Sequence, residues 1–203
     1  MKIYIIIFSV LLIKSCNNND RRNKNANSNY IEIKPGILYK DTASNVLLKH
    51  QEFIISEKDP HEELNYFGDV GFKDSVYSLK NIIDVSTFIS ISNDESFYKD
   101  KNHVYAFRTI PPGYPNINVI DIDKENFKLD GNYIFDAKNI YWLDFRLDTV
   151  DIKSFHVIND FDIGADGVHL FHRNQIIKNI NDLNIPDRKI KDSLQKIYFS
   201  NAK

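Results

Sequence analysis

The sequence predicts a mainly β protein: stacked β-hairpin repeats with short helices and a C-terminal capping helix. Three observations lead there. A turn-centred pattern recurs at residues 71–77, 97–105, 134–141 and 163–170, with a weaker copy at 38–47. A step with Asp first and Phe fifth separates copies, at Asp84/Phe88, Asp123/Phe127 and Asp151/Phe155. The segment 186–199 then sets Ile190, Leu194, Ile197 and Tyr198 on one helical stripe.

The chain opens with Lys2 and an apolar run over residues 3–13. At about 1.5 Å per helical residue this run is short for a ~30 Å hydrocarbon core. It suits the apolar region of a secretory signal. The run stops at Lys14-Ser15-Cys16, which holds the one cysteine of the chain. Residues 1–16 resemble a bacterial lipoprotein signal, in which that Cys becomes the lipidated first residue of the mature protein. Lys14 stands where such signals usually carry a small residue. Residues 17–29 contain no large apolar side chain, so 17–30 reads as a tether with too little to bury. An acyl chain contributes about 0.8 kcal/mol per buried CH₂, and stable anchoring takes more than one chain. The expectation is a lipid-anchored protein of a bacterial envelope, at the outer membrane, with the membrane itself as a partner. A lipidated Cys16 leaves the folded part without a thiol, which excludes cysteine nucleophiles and thiolate metal sites.

Residues 31–203 are expected to form one domain, with repeats over roughly 71–177. Aligning copies on the β-branched residue after the turn gives positions 76, 104, 140 and 168, spaced by 28, 36 and 28. Each copy reads as a β-hairpin, with aromatic and β-branched residues flanking polar turn formers. Asp and Asn suit such turns because their side chains bond nearby backbone groups. Asp166-Gly167 is the strongest single turn signal. In Val104-Tyr105-Ala106-Phe107 the alternation puts Tyr105 and Phe107 on the face opposite Val104 and Ala106. The step Asp is expected to act as an Asx-turn or N-cap, and the Phe to plug the core between hairpins. Two helices complete the reading. Residues 59–68 offer an Asp cap, Pro60 at the first helical position and Gly68 past the end; residues 186–199 close the array, as terminal units must.

The turn Lys99-Asp100-Lys101-Asn102-His103-Val104-Tyr105, preceded by the Asp/Phe step, resembles the DKNYY repeat family. The resemblance covers roughly residues 71–177 and is strongest around Asp100. Asp136-Ala137-Lys138-Asn139 reads as a copy with an insertion, and the last copy lacks Lys and Asn. The resemblance implies a bacterial protein, often a lipoprotein, built of tandem copies; it implies no activity.

Chemistry is sparsely signalled. With 26 Lys+Arg against 28 Asp+Glu, the formal charge is −2, unlike a nucleic-acid binder that works by neutralising phosphates. His169 and His172 are three apart on a segment that reads as a strand, where they face opposite sides. Asp121/Asp123/Glu125 and Asp160/Asp162/Asp166 lack the Gly and the bidentate Glu of a calcium loop. No phosphate loop or nucleophile elbow is present, so no cofactor, metal or catalytic residue is expected. The aromatics Tyr98, Tyr105, Tyr133, Tyr141 and Trp142 recur at corresponding hairpin positions. Such ladders usually pack across strands; on an exposed face, Tyr98, Tyr105, Tyr141 and Trp142 would be the contact residues for a glycan or protein. Four Asp-(Ser/Thr)-aliphatic triplets, at residues 41–43, 74–76, 148–150 and 192–194, resemble short O-glycosylation acceptors of bacterial envelope proteins. The expectation for function is a non-catalytic scaffold, partner-binding or immunity-like protein, since stacked repeats give extended surfaces. The alternative is an envelope hydrolase acting on glycan or peptide, which would require two converging carboxylates or a Ser-His pair.

Overall fold

The computed structural model describes residues 29–54, 61–109, 114–159 and 162–199. These residues form four sheets in chain order, antiparallel except for one parallel pair. The first holds β1 (Ile31–Lys34), β2 (Leu38–Lys40), β3 (Val46–Ile54) and β4 (His61–Phe67) as a plain meander. The second holds β5 (Asp69–Phe72), β6 (Ser75–Ser78), β7 (Ile89–Ser90), β8 (Phe97–Lys99), β9 (Val104–Phe107) and β10 (Ile117–Ile120). In it a β7-to-β10 meander is extended by β5, parallel to β10, and then by β6. The third, β11 (Lys128–Asp130), β12 (Tyr133–Phe135), β13 (Ile140–Trp142) and β14 (Phe145–Arg146), is again a meander. So is the fourth, with β15 (His156–Asn159), β16 (Ile163–Ala165), β17 (Leu170–His172) and β18 (Gln175–Ile176).

The sheets stack face to face in sequence order, and alternation along each strand explains why. In β9, Tyr105 and Phe107 join Leu38, Leu48 and Phe88 between the first and second sheets. Val104 and Ala106 point the other way, onto Ile134 and Tyr141 between the second and third. Tyr133 and Ile140 meet Phe155 and Phe171 between the third and fourth. Ile163, Ala165 and Leu170 pack under Leu194 of the C-terminal helix. A strand apolar on both faces has to be covered twice, so each inner sheet requires a neighbour on either side.

The repeated unit is therefore larger than a hairpin: three copies of a four-stranded meander, each introduced by an Asp/Phe step. Backbone bonds fix the alignment. Asp100, Asp136 and Asp166 each donate N–H to a carbonyl three residues on, at His103, Asn139 and His169, all at 3.0 Å. The residues after the turn are then Val104, Ile140 and Leu170. The copy at 136–139 carries no insertion, and Val168 is displaced by two from its expected equivalence: it lies in the turn, 71% exposed. Gly167 is not in the left-handed region there, so the Asp166 side chain, rather than the glycine, makes that turn.

Three further expectations are corrected. Residues 71–77 do not form a copy of the Asp corner. Lys73 and Asp74, with φ of 49° and 59°, make a tight two-residue turn between β5 and β6. The weak copy at 38–47 is a five-residue variant in which Asn45 N–H donates to Asp41 Oδ1 (2.7 Å) and Asp41 N–H to the Asn45 carbonyl. The helix expected over 59–68 is strand β4 from His61 onward; Asp59 and Pro60 lie outside the described residues. β4 pairs with β3 along its whole length, and Phe67 packs against the first core cluster. Sheet pairing thus overrides a local capping signal.

The C-terminal helix forms as expected. Asp187 Oδ1 caps α1 (Arg188–Leu194) by accepting N–H from Lys189 (2.8 Å) and Ile190 (3.3 Å). A π-helical turn, Gln195–Phe199, follows. Its wider spiral brings Tyr198 and Phe199 onto the core and leaves Ile197 62% exposed, shifting the predicted stripe by one residue.

Candidate binding groove

The corners form one end of the stack. In each, a single carboxylate bonds in two directions. Asp100 Oδ1 accepts N–H from Asn102 and His103, both at 2.7 Å, while Oδ2 accepts the Asp84 N–H at 2.6 Å. Asp136 does the same with Lys138, Asn139 and Asp123 (2.6, 2.7 and 2.6 Å). Asp166 repeats it with Val168, His169 and Asp151 (2.7, 2.5 and 2.9 Å). The corner Asp therefore braces the step Asp that lies 16, 13 or 15 residues upstream. Burial alone would raise the Asp136 and Asp166 carboxyls; the converging N–H groups overcome it and hold both below the ordinary value. The Lys101 ammonium, 2.6 Å from Asp84, with the Ser86 and Thr87 hydroxyls, holds the Asp84 carboxyl well down.

The step carries the Asx chemistry its sequence implies: Thr87, Glu125 and Lys153 donate N–H to Oδ1 of Asp84, Asp123 and Asp151 (3.0, 3.0 and 3.2 Å). Phe88 is fully buried and stacks on Tyr98, with centroids 5.3 Å apart. Phe155 is 8% exposed and Phe127 is half-buried. Room for Phe155 comes from Gly164, where a Cβ would sit 2.7 Å from the ring.

Of the four aromatics that would be contacts on an exposed face, Tyr98, Tyr105 and Tyr141 are 1%, 0% and 7% exposed. They are packing residues rather than an open ladder, because both faces of their strands are covered. Burial pushes the Tyr98, Tyr105 and Tyr133 hydroxyls far up; Tyr105 donates to Asp100 Oδ2 (2.8 Å), and Tyr133 to the carbonyls of Asp162 and Arg173. Trp142 alone of the four is half-buried. Cys16 lies outside the described residues.

Trp142 leads to the opposite end of the stack. There a groove of about 510 Å³ crosses the ends of several sheets, lined by His50, Arg108, Asn132, Trp142, Phe145 and Arg173, among others. Phe145 stacks on Trp142 (5.9 Å, 18°). The Arg108 guanidinium lies 4.4 Å from the Phe145 centroid and that of Arg173 5.3 Å from Trp142. A row Arg108–Phe145–Trp142–Arg173 thus links the second, third and fourth sheets by cation–π contact. Arg108 is also paired with Asp144 at 2.5 Å, and Asn132 Nδ2 donates to Asp162 Oδ1 at 2.8 Å. Asp94 accepts from the Ser96 N–H and hydroxyl.

Backbone geometry sets these side chains. Phe107, Leu143 and Arg173 are equivalent, each donating N–H to the residue at the start of the preceding strand pair: Ser96, Asn132 and Asp162. Leu143 and Arg173 hold φ of 51° and 60°. A left-handed non-glycine residue costs about 1–3 kcal/mol, and such strain gathers where a surface is specified. The Trp142 indole N–H is buried without an acceptor among the described residues, an uncommon state for a buried donor.

The remaining candidates are structural. His169 sits in the last corner, its Nδ1 3.4 Å from Asp166 Oδ2, and burial lowers the half-buried His172. Asp123 and Asp166 are turn carboxylates, and Asp160 lies outside the described residues. No cluster of three metal-ligating side chains occurs among the described residues. Thr42, Ser75, Thr149 and Ser193 of the four triplets are all exposed.

Sequence reading reached Trp142 but missed Arg108, Phe145 and Arg173. The only available signal was the repeat itself, since Arg173 occupies the place of Phe107 and Leu143. No curated protein and no solved structure matches the chain. A family model, described as the DKNYY family, matches residues 70–201. With the step, the corner and the two-faced strand superimposed three times within that span, the chain belongs to the DKNYY family.

Proposed function

We propose that this chain is a lipid-anchored bacterial envelope protein with a non-catalytic scaffold or partner-binding role, and that the groove is its contact surface. The observation that carries the reading is the row Arg108–Phe145–Trp142–Arg173 running across three sheets. Arg and Trp are the side chains that concentrate binding energy at protein interfaces. The row favours a protein partner over a sugar, because a sugar needs an open ring face and the Trp142 ring already packs on Phe145 and Arg173. A hydrolytic role is less favoured. The groove carboxylate Asp94 is engaged by Ser96, neighbouring Asp144 is paired with Arg108, and the corner carboxylates brace backbone.

Two experiments test this. Cys16→Ala should release the protein from membranes; retention there would remove the lipid anchor from the reading. Crosslinking in intact cells should capture a discrete envelope protein, and the double variant Trp142→Ala/Arg173→Ala should lose it. An unchanged capture profile would rule the groove out as the contact surface.

A further inference from the structure

The two outer faces of the stack are built differently. Beyond the fourth sheet, Leu194, Ile190, Tyr198 and Phe199 of the C-terminal helix cover the last apolar layer. The outer face of the first sheet has no such cover among the described residues. Alternation puts Leu38, Leu48 and Phe67 inward, onto the second sheet. The cross-strand sets Glu32–Tyr39–Leu47, Lys49–Tyr66 and Gln51–Leu64 therefore face out. Tyr66 stacks on Tyr30 at 4.4 Å and meets Tyr39 edge-on at 5.5 Å. Lys49 lies over the Tyr39 ring, Tyr39 donates to Glu32 Oε1, and Leu64 is 47% exposed. The end units of a stacked array usually turn a polar face outward; this one shows three tyrosines and two leucines.

We propose that this face rests on the surface of the lipid bilayer. The inference depends on the lipid anchor proposed above. Two observations favour a bilayer over other occupants. Tyr30, through which residues 1–29 join the fold, is itself part of the face. From Cys16 to Tyr30 the chain reaches at most about 50 Å when fully extended, so an anchor at Cys16 keeps the fold close to the membrane and joins it at the first sheet. Tyrosine, with an apolar ring and a polar tip, suits the bilayer interface, as does a lysine whose stem lies along apolar surface. Among the described side chains of the face Lys49 and Glu32 balance, so no anionic lipid is called for. Tethering makes even weak affinity sufficient, because the second contact is intramolecular.

The test uses the full lipidated protein in phosphatidylcholine vesicles that contain a headgroup-nitroxide lipid. A fluorophore is attached at Gln51→Cys on the face or at Val168→Cys in the last corner; both sites are exposed. Quenching at position 51 should exceed that at 168 at least threefold. Equal quenching in protein that floats with the vesicles overturns the docked face and leaves the anchor standing. Protein that fails to float overturns both. Excimer emission from pyrene at position 51 would assign the face to a second copy of the chain and overturn the proposal.

Discussion

The corner end and the groove end of the stack are made by the same three repeats, yet they differ in kind. At the corners the same residue, Asp, recurs at positions 100, 136 and 166 with nearly superimposable bonds. At the groove end, equivalent positions hold Ser96, Asn132 and Asp162, and Phe107, Leu143 and Arg173. The difference follows from what each place demands. A corner has to supply two acceptors, one for its own turn and one for the upstream step, and a short carboxylate does both. The groove end asks only for a backbone bond that any residue can make, so its side chains are free to differ. Repetition marks the scaffold, and divergence between repeats marks the surface available for recognition.

Removing a corner should have the largest effect. Asp100→Ala strips acceptors from three backbone N–H groups and the buried Tyr105 hydroxyl. Unpaired buried donors cost about 1–3 kcal/mol each and do not add fully, so a loss of about 3–5 kcal/mol is expected in urea unfolding. Asp136→Ala, at a less buried corner, should cost less; if it cost more, the corners would not be equivalent braces. Phe155→Ala should come close to it, with a loss of up to about 3–5 kcal/mol, against a smaller loss for the half-buried Phe127→Ala. Gly164→Ala, which drives a Cβ into the Phe155 ring, should cost about 1–3 kcal/mol.

Acid provides a graded version of the first experiment. The Asp136 and Asp166 carboxyls titrate lower in the fold than in the unfolded chain. Their contribution is therefore complete above the ordinary Asp value, near pH 4, and is lost as pH falls through the depressed folded values. Urea midpoints should fall steeply below pH 4, after a smaller decline below about pH 6.5 from His172, which the fold holds in its neutral form; a midpoint that rose on acidification would contradict the bracing role. The smallest effect belongs to the groove. Arg173→Ala, exposed and 3.8 Å from Asp162, should shift stability by less than about 1 kcal/mol while weakening partner capture. A large stability loss there would erase the contrast between the ends.

The sequence by itself determined the β class, the three Asp/Phe steps, the Asp corners and the capped C-terminal helix. Apart from the bond that ties each corner to a step 13–16 residues upstream, each of these rests on local physics: side-chain bonds within a few residues, or a periodicity of two or of three to four. Tertiary structure decided the rest. Pairing with β3 made a strand of a segment with helical caps, because a shared sheet outweighs one helix terminus. Stacking buried Tyr98, Tyr105 and Tyr141 on two-sided sheets, a packing that their recurrence favoured but that only the neighbouring sheets decide. The row from Arg108 to Arg173 spans three sheets, and no spacing along the chain encodes it; it exists because successive sheets stack in register and bring together residues distant in sequence.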